Sequence, residues 1–121
     1  MANKARVDLV LDCADPMRLS EFWRDALGYR IHFATEGAVV LVPSEGISPP
    51  LVLQQVPEPK VGKNRMHLDI TTDAVEPEVE RLEKLGAARA HEGVRSMAGT
   101  RWVTMTDPDG NEFCVCDGVT W

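Results

Sequence analysis

Two short stretches, Val7-Asp8-Leu9-Val10-Leu11-Asp12 and Met66-His67-Leu68-Asp69-Ile70-Thr71, decide how this chain folds. Each alternates apolar and polar side chains, the period of a strand with one face on a core and the other turned away from it. Each leads through an aspartate into an amphipathic helix. The first helix is predicted to open with Asp15 as N-cap and Pro16 in the first helical position, where a missing N–H costs nothing. Its apolar stripe is Leu19, Phe22, Trp23, Ala26 and Leu27, spaced by three and four. The second is expected to open near Asp73, with Glu76 in the capping-box position and Val75, Val79, Leu82 and Leu85 turned inward. Pro77 in its first turn fixes that start only to within a few positions.

Both helices close on Leu-Gly, at Gly28 and Gly86, with glycine as the C-cap. The offset is 59 residues from Asp8 to His67 and 58 from Gly28 to Gly86. An offset held across a strand, a helix and its cap points to a duplicated unit. Three further strands are predicted in each half: 29–34, 38–43 and 51–56, then 88–92, 101–106 and 112–116. Pro43-Ser44-Glu45-Gly46 and Asp107-Pro108-Asp109-Gly110 are the matching turns. Pro57, Pro59 and Gly62 link the halves. The expected plan is α+β: two tandem βαβββ modules, 5–57 and 63–117, in a single domain spanning 1–121.

Composition narrows the function classes. Over 121 residues, hydrophobic side chains make up 44% and charged ones 26%, the balance of a globular protein that folds without disulfide staples. No long apolar run offers a membrane span, and the N-terminus has no signal-peptide core, so a cytoplasmic protein is expected. A net charge of −6 argues against a nucleic-acid partner, which needs a basic stripe. Lys60, Lys63 and Arg65 are read as a solvated link. Cys13, Cys114 and Cys116 are expected to be reduced thiols.

The order of Asp15-Pro16, Phe22-Trp23, Leu27-Gly28-Tyr29, Arg65-Met66-His67-Leu68-Asp69 and Asp107-Pro108-Asp109-Gly110-Asn111 resembles the vicinal oxygen chelate superfamily over residues 5 to 117. That superfamily includes glyoxalase I, extradiol dioxygenases, and fosfomycin- and bleomycin-resistance proteins. More narrowly, the chain is similar to small glyoxalase-like proteins common in actinobacteria. The resemblance implies that each module curls its sheet into half of a cup, that helices cover the convex side, and that the protein is a homodimer. Pleat alternation then assigns the faces. Val7, Leu9, Leu11, Met66, Leu68, Ile70, Phe113 and Val115 are expected to face the helices. Asp8, Val10, Asp12, His67, Asp69, Thr71, Glu112, Cys114 and Cys116 are expected to face the cup, and by the repeat Gln54 matches Cys114.

The resemblance also implies where a metal would sit. The four equivalent spots are Asp8, Gln54, His67 and Cys114, of which Asp8, His67 and Cys114 form a set suited to a divalent ion such as zinc, nickel or iron. Cys114 and Gln54 stand where relatives carry glutamate, so the set departs from the family pattern and no cofactor is the simpler expectation. The ligand-contacting candidates are Asp8, Asp12, Gln54, His67, Trp102 and Cys114, with Trp102, Thr104 and Thr106 on one strand face as a wall for a planar molecule. Glu112 and Asp69 are the candidate bases. His32 and His91 are read as surface residues, Phe22 and Trp23 as core, and Tyr29 and Trp121 stay open.

Two functions follow from the resemblance. The leading one is a homodimeric binder that encloses a small organic molecule in a polar cup, as bleomycin-resistance proteins sequester a drug. The alternative is a glyoxalase-type lyase or isomerase in which a divalent metal acts on a substrate with adjacent oxygens.

Overall fold

The computed structural model describes residues 7–97 and 99–117. The chain divides between Pro59 and Lys60 into two compact units. The architecture is α+β, with two sheets and two helices among the described residues.

The first unit holds β1 (Leu9–Cys13), α1 (Pro16–Leu27), β2 (Tyr29–Ala34), β3 (Ala38–Pro43) and β4 (Leu51–Gln55). The strand order is β1-β4-β3-β2, with β1 parallel to β4 and the other pairs antiparallel. The α1 terminus forms as its sequence dictates. Asp15 takes an extended backbone and its carboxylate accepts the Arg18 N–H at 3.2 Å, while Pro16 starts the helix. Gly28 then ends it at φ 68°, in the left-handed region that favours glycine. Leu19, Phe22, Trp23 and Ala26 bury against a sheet face carrying Val39, Leu41, Leu51 and Leu53. The Phe22 and Trp23 rings meet edge to face, 5.0 Å between centroids. Tyr29, left open by the sequence, is half-buried and donates its hydroxyl to the Pro49 carbonyl at 2.8 Å.

The second unit repeats this topology with one addition. Its elements are β5 (Leu68–Thr71), α2 (Val75–Leu85), β6 (Ala88–Arg89), β7 (Arg95–Met97), β8 (Thr100–Thr106) and β9 (Glu112–Cys116). The order is β5-β9-β8-β6, with β5 parallel to β9, and β7 also pairs with β8. Val75, Val79 and Leu82 of α2 bury with Val103, Met105, Phe113 and Val115 on one sheet face. The opposite face is left for a cavity.

Three local expectations are corrected. The α2 start lacks the capping box: Ala74 is the N-cap, with no side-chain cap bond, and Thr72 Oγ1 instead accepts the Ala74 N–H at 3.1 Å. Counting from Ala74, Pro77 is the third helical residue and has no N–H for a cap to satisfy. Val7 and Met66 do not face the helices; they are 69% and 80% exposed. Both precede the strands, which begin at Leu9 and Leu68, so no ladder holds them over a helix. The third correction is β7, an extra strand between the expected ones. The three cysteines are buried, and none is in a disulfide among the described residues. Among the described residues no helix is long and apolar enough to cross a membrane.

Candidate functional site

In the second unit a cavity of about 740 Å³ lies over the sheet face opposite α2. Its floor is set by register. Across the strands, Arg95 on β7 is opposite Trp102 on β8, Trp102 is opposite Cys116 on β9, and Cys116 is opposite Thr71 on β5. The neighbouring row runs Thr104, Cys114, Asp69. Residues paired across strands share a face, so each row presents its side chains to the same space. His67, Lys63 and His91 line it as well.

Within this floor, His67, Asp69 and Cys114 come together, their donor atoms all within 4.8 Å of one another. His67 Nε2 is 3.1 Å from Asp69 Oδ1, with both side chains more than a third exposed. Cys114 is buried, and its Sγ is 3.7 Å from the Thr104 hydroxyl. Burial pushes the Cys114 thiol above its ordinary value and the Asp69 charge adds to this, against a smaller pull from the Thr104 hydrogen bond and Lys63. The group is a thiol at neutral pH.

A nitrogen, a carboxylate oxygen and a sulfur make a three-ligand set of the kind a catalytic zinc takes, with one position left open. Zinc with ligands at about 2.0–2.3 Å would hold its donors roughly 3.3–3.8 Å apart, so the cluster closes on an ion with shifts of about 1 Å. Two of the three side chains are exposed enough to make that move. The donors therefore fit the ion. Two of the three residues the resemblance implied, His67 and Cys114, are in this cluster with Asp69; Asp8 lies in the first unit.

Glu112 lines the same cavity, but its carboxylate is engaged. Oε1 accepts the Asn64 backbone N–H at 2.5 Å and Oε2 pairs with Lys60 Nζ at 2.8 Å. Burial works to raise its pKa, yet the Asn64 bond and Lys60 together hold the carboxyl below its ordinary value of 4.5. That makes Glu112 a clamp on the 60–64 segment and a weak base. Lys60 is thus part of an ion pair and Lys63 part of the cavity, where the sequence suggested a solvated link. A carboxyl depressed on folding contributes stability above pH 4.5 and loses it as pH falls through the folded value. Glu112→Gln is expected to cost about 1–3 kcal/mol at pH 7. Between pH 7 and pH 3 its urea midpoint should fall less than that of the unmodified chain. An equal fall would show that the clamp does not hold the carboxylate.

The remaining candidates sit in the first unit. Asp8 and His32, with Arg30 and Phe33, line a cavity of about 590 Å³. Asp12 and Gln54 are exposed register partners on β1 and β4. His91 is exposed yet lines the second unit's cavity, which its reading as a surface residue missed. Arg95 and Thr100 were missed with β7: the five residues between Gly93 and Gly99 show no strict alternation of apolar and polar side chains, and nothing local marks them as a strand. Trp121 lies outside the described residues.

Comparison with known proteins gives one family. A model described as a glyoxalase-like domain matches residues 8–116. No curated protein sequence matches significantly. Among solved structures, a glyoxalase/bleomycin resistance protein/dioxygenase family enzyme from Burkholderia phytofirmans PsJN superposes with a TM-score of 0.74 at 14% identity, covering 91% of this chain and 98% of that one. The fosfomycin resistance protein FosX from Mesorhizobium loti gives 0.73 at 16% identity, covering 98% and 95%. Lactoylglutathione lyase from Agrobacterium tumefaciens gives 0.68 at 19%, covering 97% and 96%. At these identities the likeness is one of fold.

Proposed function

This chain belongs to the glyoxalase-like domain family, and from that premise we propose that its second unit encloses a small organic molecule without transforming it. The observation that carries this reading is the cavity floor: an indole beside hydroxyls and thiols, with the neighbouring Glu112 carboxylate tied into a structural clamp. An aromatic wall with a few convergent polar groups is what holds a drug-sized ligand. Solved structures of this fold carry the names of a resistance protein and of a lyase, so the site and not the fold has to decide between binding and turnover. We take the protein to be cytoplasmic, and a homodimer, the state the family resemblance implies.

A second reading rests on the His67, Asp69 and Cys114 cluster. These three residues would hold a zinc ion, which supplies Lewis-acid polarisation of a bound oxygen. In that case His67 and Asp69 exchange their mutual contact for the ion, and Cys114 gives up its proton on binding.

One experiment separates the readings. Protein purified without chelator or histidine tag is analysed for metal and screened by thermal shift against a small-molecule library. The binding reading expects a compound that raises Tm by several degrees at about 100-fold its Kd, a shift lost in Trp102→Ala, with the compound recovered unchanged. Near-stoichiometric zinc that disappears in His67→Ala, together with consumption of the compound, would overturn it in favour of the lyase.

A further inference from the structure

We infer that the second unit's cavity takes a flat aromatic carboxylate with a hydrogen-bond donor at its opposite end, an inference that rests on reading this cavity as a ligand site. The row Arg95, Trp102, Cys116, Thr71 crosses four adjacent strands. Three strand spacings make a floor about 14 Å wide, the scale of one ring and a short side arm. The indole of Trp102, half-buried in the middle, offers a face for stacking.

Charge orders this floor from end to end. At the β7 edge, Arg95 makes no ion pair among the described residues. Arg89, by contrast, pairs with Glu76 and Glu83, and Arg101 with Asp117. Asp117 also lines the cavity, but Arg101 holds it through both backbone and side chain. A guanidinium next to an indole, with no carboxylate of its own, suits the planar two-oxygen end of a carboxylate on a stacked ring. At the β5 edge the polarity reverses. Asp69 uses Oδ1 on His67 and is half exposed, so its second oxygen can accept a hydroxyl or amine. Lys63 is the other cation on the cavity, and its charge acts on Cys114, beside Asp69. An anion seated there would reverse the ligand.

The test is an NMR titration of the Trp102 indole N–H with 4-hydroxycinnamate, its methyl ester, and cinnamate lacking the hydroxyl. 4-Hydroxycinnamate is expected to move the resonance and to bind about tenfold tighter than the ester, the worth of one charge-assisted contact. Arg95→Gln, at an exposed position, should bring acid and ester to within about twofold, and Asp69→Ala should erase the advantage of the hydroxyl over cinnamate. Equal binding of acid and ester overturns the inference. So does a preference abolished by Lys63→Gln and untouched by Arg95→Gln, or an indole resonance that none of the three compounds moves. A neutral or cationic compound from the library that binds at Trp102 would leave the ligand-site reading standing while this assignment fails.

Discussion

Trp23→Ala is expected to destabilise the protein by about 3–5 kcal/mol, a large part of the total stability of a small domain. Trp23 is 1% exposed, its ring meets Phe22 edge to face, and it stands in the buried stripe that α1 lays on the first unit's sheet. Truncation removes the transfer free energy of an indole and leaves a cavity between α1 and a sheet whose inward residues, Leu41 and Leu53 among them, are fully buried. A densely packed core relaxes only partly into such a gap. Urea unfolding followed by circular dichroism measures the loss as a lower midpoint at unchanged slope. Trp102→Ala is the control: that ring is half-buried over a cavity, so its loss should cost far less stability. A loss below about 1 kcal/mol for Trp23→Ala would mean that α1 does not pack as described.

The contrast between the two tryptophans shows what a sequence displays and what it hides. α1 is legible because its cap, its proline, its stripe and its terminal glycine are all local signals that agree. Strand alternation likewise assigns His67, Asp69, Cys114 and Trp102 to one face, and the structure brings them to one cavity. The metal-capable cluster is a different matter. That Asp69 comes together with His67 and Cys114 depends on distances between strands, which no pattern along the chain encodes. The Glu112 clamp depends on Asn64 and Lys60, some fifty residues earlier, so the carboxylate reads as a free base until its partners are seen. Arg95 was hidden because β7 exists only through its pairing with β8. A three-residue strand between glycines is too short to show a period along the chain.

Asp107→Ala is expected to cost about 2–4 kcal/mol, although Asp107 lines no described cavity. Its carboxylate, 3% exposed, accepts the backbone N–H of Asp109 and of Asn111, each at 2.9 Å, and the Asn111 side-chain amide at 3.1 Å. The turn closes on itself through Asp107 N–H to the Asn111 carbonyl at 2.8 Å, with Gly110 at φ 88°. Alanine leaves the two Asn111 donors buried without this acceptor, a loss larger than any one of the bonds is worth. Asp107→Asn keeps one acceptor oxygen and should lose less. The turn also delivers β9 in register, and β9 supplies Cys114 and Cys116 to the cavity floor. Asp107 therefore serves the site through the backbone. In Asp107→Ala the urea midpoint should drop well before ligand affinity does, when affinity is measured on the folded fraction at low temperature. A variant that lost affinity while keeping its midpoint would move Asp107 from the turn into the ligand site.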